Sequence, residues 1–373
     1  MSEDAHAPVD AEDRPPDWNW TFVEIDDFLA NYAGRWDELN RSLYGGHPLS
    51  DSRFVFALLR HFPSPKVRAA VLGPCNAPRA MLLLEPVRPG FWTTFQRSQA
   101  QASPVLLAPD DLGSLSTLFR SLPTFTQAID FLCQDPHFSP LVAQATDRPR
   151  RFTRYTLTAM IDLRGSFQGY WRARPQGLRQ TISRSLRRAD LEGTPLALHT
   201  VEDAAHMEEA VREFGLLESR GWKSGGGTAV SPDNAQGRFY AEVFRAFAET
   251  GQAISYQLHA GGEVIARQLA LASGQMCITL KTTYDERFRH LAPGRVLDYE
   301  MLRMEFDRRR FDRIELYTDA DQAQLRWTTS DRWIEHVTCF RSAAARSTYT
   351  VARSVLAGLR RLAGGHAVQI GDA

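Results

Sequence analysis

Apolar positions three and four apart mark most of the helices this chain predicts. Phe28, Leu29, Trp36, Leu39 and Leu43 give a helix or helix pair over 22–43, and SDSRFVFALLRHF gives another over 50–62. Short runs dense in branched or large apolar residues, bounded by Gly, Pro and Asn, predict strands at 67–73, 79–87 and 103–108. Residues 112–122 and 136–142 read as short helices, and RFTRYTLTAMIDL at 151–163 alternates as a strand does.

Beyond Ser166, where the chain turns helical again, the pattern is more regular. TPLALHTV at 194–201 predicts a strand, and Asp203 can cap a helix whose face is Met207, Val211, Phe214 and Leu217. The loop WKSGGGTAVSPDN leads to a helix with Phe239, Val243 and Phe247 in register. Three strands then form a meander, QAISYQLHA, EVIARQLALAS and QMCITLKTTY, the first turn being Gly261-Gly262. A helix with Leu297, Met301 and Met304 on its apolar side follows, then the strand RIELYTDA at 313–320, a short helical piece at 322–327 and the strand WIEHVTCF at 333–340. The last pattern, 344–363, sets Val351, Val355 and Leu359 against Arg353, Arg360 and Arg361, which suits a packing helix or one that meets a membrane surface or a partner.

Composition changes this picture in four places. At 373 residues and zero formal net charge the chain is long enough for two packed domains and does not announce a polyanionic partner such as DNA. Cys75, Cys133, Cys277 and Cys339 are widely spaced and form no CxxC pair, so they read as reduced thiols of a cytoplasmic protein with no structural zinc. The first 17 residues, acidic and Pro-bearing, read as a disordered tail rather than a signal peptide, and no later run has the apolar length of a transmembrane span. Only Lys66, Lys223 and Lys281 among the 44 basic residues are lysines. A chain that uses Arg for nearly every cation keeps Lys either as surface remainder or where a compact ammonium is needed.

The candidate chemistry gathers at 281–310. A strand end, a loop and a helix opening at Pro293-Gly294 present unpaired N–H groups and the positive end of a helix dipole, a site for an anion such as a phosphate; the plain alternative is a turn that only starts the helix. Arg172, Arg174, Arg179, Arg184, Arg187 and Arg188 make a basic helix surface, either solvated or a clamp for phosphates of a coenzyme or RNA. No GxSxG, HExxH, GxGxxG or Lys-bearing phosphate loop is present.

The order of elements from 194 to 340 resembles the GNAT acyltransferase fold. The details include the helix at Ser166, Trp222-Lys223, the Gly-Gly hairpin leading to VIA, Lys281 followed by Tyr284-Asp285, Pro293-Gly294, and Asp319 ahead of Trp327. Together they look like the CelD-like branch, named for cellulose biosynthesis and related to the aminoacyltransferases that build peptidoglycan cross-bridges. The resemblance covers roughly 18–340 and implies an α+β protein of α/β layers with tandem GNAT-like domains, each a mixed, mostly antiparallel sheet flanked by helices. The divisions it implies are a tail (1–17), a degenerate first domain (18–163), a catalytic second domain (164–341) and a basic C-terminal helix and tail (342–373).

The implied reaction is transfer of an acyl group from an acyl-CoA-type thioester, a co-substrate rather than a bound cofactor, to a small amine. By that resemblance Lys281, Tyr284, Asp285 and Tyr317 are catalytic candidates: Lys281 to stabilise the oxyanion or grip a phosphate or carboxylate, Asp285 to take the proton or orient the amine, Tyr284 or Tyr317 to protonate the leaving group. The plain alternatives are core tyrosines with satisfied hydroxyls and a surface pair of Lys281 with Asp285. Thr282, Pro293, Gly294, Arg295 and Val296 bind the donor; Trp222, Lys223, Asp319 and Trp327 bind substrate. Of the glycines that precede the helix in acetyl-CoA-using relatives only Gly294 matches, and Arg326 stands where the branch often has Lys before the last Trp. Charged tRNA therefore stays open as the donor, as does a catalytically silent binding module.

Overall fold

The computed structural model describes residues 18–144, 149–219, 230, 231 and 233–362, with only the backbone of 356–362. The predicted tail (1–17), Trp222, Lys223 and the glycine run lie outside the described residues. The first half runs β1 (Trp20–Val23), α1 (Ile25–Asn31), α2 (Ala33–Tyr44), α3 (Ser52–His61), β2 (Arg68–Leu72) and β3 (Ala80–Arg88). It continues with β4 (Phe91–Thr94), β5 (Val105–Leu106), α4 (Leu115–Ser121), β6 (Ala128–Gln134), α5 (Pro140–Ala143) and β7 (Arg150–Asp162). The second half opens with α6 (Phe167–Arg172), α7 (Gln176–Leu191), β8 (Leu196–Val201), α8 (Ala204–Ser219) and α9 (Ala235–Ala248). The meander β9 (Ala253–Ala260), β10 (Glu263–Ser273) and β11 (Met276–Tyr284) follows, then α10 (Pro293–Arg308), β12 (Arg313–Glu315), α11 (Gln322–Leu325), β13 (Ser330–Phe340) and α12 (Ala343–Leu362).

The thirteen strands among the described residues join one sheet, in the order β1-β2-β3-β4-β6-β13-β7-β12-β11-β10-β9-β8, with β5 paired to β3. The order is nearly symmetric about the β13/β7 pair. On each side an antiparallel run ends in one parallel pair, β4 with β6 and β11 with β12. Strand β7, sequentially the end of the first half, bonds β12, while β13, the last strand, bonds both β6 and β7. The two halves are thus tandem copies of one mixed, mostly antiparallel pattern that share a sheet, with a strand of each half lying across the midline.

Side-chain pattern explains the layers. One face buries Phe28, Trp36, Phe54 and Phe56 of the first half with Phe214, Phe239, Phe244 and Phe247 of the second in a single cluster, so α1–α3 and α8–α9 pack as one layer. On the opposite face two clusters lie side by side: Leu112, Leu115, Leu118 and Phe119 cover the first half, and Tyr170, Leu178, Ile182, Val296, Leu297, Met301 and Phe306 cover the second.

The sequence reading differs from the structure at several elements. Residues 20–23, the first of them ahead of the expected helix, form an edge strand paired with β2, after which a break at Tyr32 divides the helix pair. The expected strand 313–320 pairs with β11 only as far as Glu315. Strands β4 and β6 carry no regular alternation long enough to announce them, and they are set by their neighbours: β4 bonds β3 and β6, and β6 bonds β4 and β13. The Gly261-Gly262 turn is as expected: both residues have positive φ, +55° and +91°, which an L side chain disfavours.

Candidate functional site

Strands β11 and β12 run side by side for three residue pairs, Met276 with Arg313 to Ile278 with Glu315, and then separate. The cause is visible in the backbone. Beyond β12 the chain bonds β7 instead: the Leu316 N–H donates to the Ala159 carbonyl at 2.9 Å and the Ala320 N–H to the Leu157 carbonyl at 2.8 Å. Strand β11 meanwhile bulges, since Leu269 faces Lys281 while the next residue, Ala270, faces Thr279, leaving Leu280 as the extra residue. A bulge bends its strand and re-aims the side chains that follow. Between the parted strands lies a cleft of ≈ 730 Å³, walled by Thr279–Thr282 and Tyr284, by the first turns of α10, and by Leu316–Thr318.

Helix α10 starts from Ala292, which has φ +49° and ψ 55° and supplies no side-chain cap. The N–H groups of Arg295 and Val296 both donate to the Ala292 carbonyl, at 3.0 and 3.1 Å, and Pro293 has no N–H. The Gly294 N–H has no hydrogen-bond partner among the described residues, and Gly294 lines the cleft. Arg289 and Arg295 line it too. A helix start with an unpaired amide beside two guanidinium groups is a place where a phosphate is stabilised.

In the first half the corresponding gap is closed. The Leu132 N–H donates to Thr94 Oγ1 at 2.9 Å where β4 ends, and the Ser103 N–H donates to the Cys133 carbonyl at 3.1 Å.

The expected site residues divide into two groups. Lys281, Thr282, Tyr284, Pro293, Gly294, Arg295, Tyr317 and Trp327 line the cleft. Lys281 reaches the α9 side, its ammonium 5.7 Å from the ring centre of Tyr240, while Tyr284 sits at the mouth, 39% exposed. Trp327 forms a buried wall whose carbonyl accepts the Tyr170 hydroxyl at 2.6 Å.

Three others are engaged elsewhere. Asp285 caps the turn after β11, accepting the Arg287 N–H at 2.9 Å and that residue's guanidinium, and does not line the cleft. Val296 is wholly buried in the core under α10. Asp319 accepts the Thr156 hydroxyl at 3.1 Å outside the cleft wall.

Tyr317 presents part of its ring, but its hydroxyl donates to Asp135 at 2.6 Å and meets His47 Nε2 at 2.9 Å. Burial, with the charges of Asp135 and Glu315, pushes that phenol well above its ordinary range. The same network holds Arg332, which donates to Asp135 and Glu315, joining β6, β12 and β13 at the midline. Burial also lowers His47 to about 3, so its imidazole is neutral. The hydroxyl of Tyr317 is therefore a structural link between the halves.

Arg289, Asp298 and Gln268 are cleft residues that escaped the sequence reading. Asp298, one turn into α10, accepts from Gln268 Nε2 at 3.2 Å, and the same nitrogen donates to Thr282 Oγ1 at 3.0 Å. Burial in the cleft wall pushes the Asp298 carboxyl up to about 7, the Gln268 bond only partly opposing it. The signal was present: Asp298 sits three residues before Met301 and four before Leu302, a carboxylate on the stripe that faces the sheet.

Residues 176–325, from the start of α7 to the end of α11 and so including the cleft, match the family described as Acetyltransferase (GNAT) domain. The match makes this stretch a GNAT-type N-acyltransferase domain. Comparison with curated proteins finds no match. Among solved structures the fold is similar to that of FemX, with a TM-score of 0.55 at 10% identity over 82% of this chain and 95% of that one. It is also similar to L-PGS from Bacillus licheniformis, with a TM-score of 0.50 at 12% identity over 83% and 92%. At such identities the likeness is one of fold.

Proposed function

We propose that this protein, whose residues 176–325 match the GNAT acetyltransferase domain, transfers an acyl group from an acyl-CoA-type thioester to a small amine in the cleft between β11 and β12. One observation carries the reading: the parted strands open beside an α10 N-terminus with an unpaired Gly294 amide and two arginines. The donor's phosphates meet Gly294, Arg289 and Arg295, and its acyl arm passes into the strand gap. There the backbone of β11 past Ile278, which has no neighbour strand on the β12 side, offers N–H groups to the developing oxyanion. Trp327, Tyr284 and Lys281 shape the space for the acceptor. The order of motifs favours the CelD-like branch, and the free cysteines favour a cytoplasmic enzyme; among the described residues no helix is long and apolar enough to cross a membrane.

A second reading, an aminoacyl-tRNA donor, is favoured by α7. Arg179, Arg184 and Arg187 border a shallow recess of ≈ 670 Å³, and Arg188 on the same helix donates to the His290 carbonyl at 3.2 Å, beside Arg289 of the cleft mouth. That strip follows a polyanion longer than a coenzyme.

Native mass spectrometry with acetyl-CoA, longer acyl-CoAs and charged tRNA separates the readings. Acyl-CoA binding lost in Arg289→Ala/Arg295→Ala and retained in Arg184→Ala/Arg187→Ala supports the thioester donor. Salt-sensitive tRNA binding lost in the second pair supports the other. Binding of neither donor leaves a silent module and overturns both.

A further inference from the structure

We propose that Asp298 is the cleft's amine-recognition residue, holding the acceptor's ammonium and taking its proton before attack. The inference rests on the acyltransferase reading for the second step but not for the first.

Two carboxylates line the cleft. Asp321 is committed to capping α11, accepting the Gln324 N–H at 2.7 Å while the Gln324 side chain bonds back to the Asp321 amide. Asp298 has Gln268 as its bonded neighbour, and among the described residues no cation lies within ion-pair distance of it. Gln268 is 3% exposed and lines the cleft, its Nε2 divided between Thr282 and Asp298, and its Oε1 has no partner. A buried amide oxygen left unbonded next to a carboxylate of uncompensated charge makes two acceptors in one corner of the cleft. Their complement is a group with several N–H donors and positive charge, which describes a primary ammonium.

The groups facing this corner agree. They are Gln268 from β10, Thr282 from β11, the protonated Tyr170 phenol from α6, and, further along the cleft wall, Arg295 from α10 with Arg289 before it. The arginines sit toward the α10 start, where an anionic donor docks, so the cleft is divided into an anion end and an ammonium corner. Because burial holds the Asp298 carboxyl near neutrality, it accepts and releases a proton at physiological pH.

The step balances. An N–H bond of the acceptor R–NH3+ breaks and its proton passes to the Asp298 carboxylate; the freed lone pair forms the C–N bond at the thioester carbonyl. Collapse breaks the C–S bond, the leaving thiolate takes a second proton from the same nitrogen, and Asp298 returns its proton to water.

The test reads amine binding apart from turnover. Titration calorimetry uses 1,4-diaminobutane, with 1,4-butanediol as the uncharged counterpart, at about pH 5.5 and about pH 8.5. The proteins are the native chain, Asp298→Asn, and Asp307→Asn, which removes an exposed carboxylate of the same helix. The diamine should bind the native chain and Asp307→Asn with affinity at least about tenfold higher at the upper pH, the diol should not bind, and Asp298→Asn should lose that tenfold. Equal diamine affinity in Asp298→Asn, an unchanged affinity across pH, or no diamine binding by the native chain overturns the proposal. Acetyl-CoA binding measured on the same samples fails independently if the donor reading is wrong, so the two failures are distinguishable. An unchanged thermal midpoint in Asp298→Asn shows that the corner, and not the fold, was altered.

Discussion

Replacing Arg332 by Met tests how the two halves are held together. The guanidinium donates to Asp135 at 2.8 and 2.5 Å and to Glu315 at 2.9 Å, and the two carboxylate side chains are 3% and 0% exposed. Methionine keeps most of the volume and removes the charge, leaving Asp135 buried with no ion-pair partner among the described residues and Glu315 with only Arg313, 3.4 Å away. Breaking a buried pair in this way costs about 3–5 kcal/mol, a hundredfold or more in the folding equilibrium.

The loss should shrink as pH falls. Burial raises the pKa of Asp135, but Arg332 and the Tyr317 and His137 hydrogen bonds outweigh it, so the native value is lowered. A lowered carboxyl contributes stability that is present above its unfolded pKa and lost only below it, so the native chain keeps this contribution between pH 7 and 5. Glu315 is already raised by burial despite Arg332. In Arg332→Met both carboxyls rise above their unfolded values, so the folded state binds protons more tightly and regains stability toward pH 5, by up to about 1.4 kcal/mol per unit of pKa. Urea unfolding followed by tryptophan fluorescence at pH 7 and pH 5 measures both losses. A loss below about 1 kcal/mol at pH 7, or an equal loss at both pH values, would refute the argument.

Three further perturbations probe single elements. Tyr317→Phe leaves His47 and Asp135 each short of one partner and should cost about 1–3 kcal/mol while sparing turnover; a large fall in kcat at unchanged stability would restore the hydroxyl as a catalytic acid. Ala292→Gly relieves a left-handed residue, worth about 1–2 kcal/mol, against an unfolded-state entropy cost of about 0.4–1, so the melting temperature should hold or rise; a clear drop would contradict it. Gly215→Ala places a Cβ 2.1 Å from the Val230 carbonyl oxygen, forcing α8 away from the returning chain, and should destabilise by about 1–3 kcal/mol; a neutral melt would show that the backbone gives way freely.

The sequence by itself determined the elements with a long period: α7, α8, α9 and α10, the meander β9–β11, the turn at Gly261-Gly262, and the helix start at Pro293-Gly294. These depend on side chains close in sequence, so their spacing is enough. The tandem GNAT fold and the location of the cleft followed from that order, and Lys281, Thr282, Tyr284, Gly294, Arg295 and Trp327 do line it.

Tertiary structure alone decided the rest. Whether β12 follows β11 or β7 is settled by hydrogen bonds between residues 157–160 and 316–320, far apart in the chain, and that choice opens the cleft. Asp285 and Tyr317 sit at suggestive places in the sequence, yet Arg287 engages the one, and Asp135 with His47 engages the other. Asp298 stands among core residues in the sequence, and only the gap beside it makes a half-buried carboxylate into a group a substrate can reach. A local pattern fixes which face of an element is apolar; what that face meets is fixed by partners hundreds of residues away.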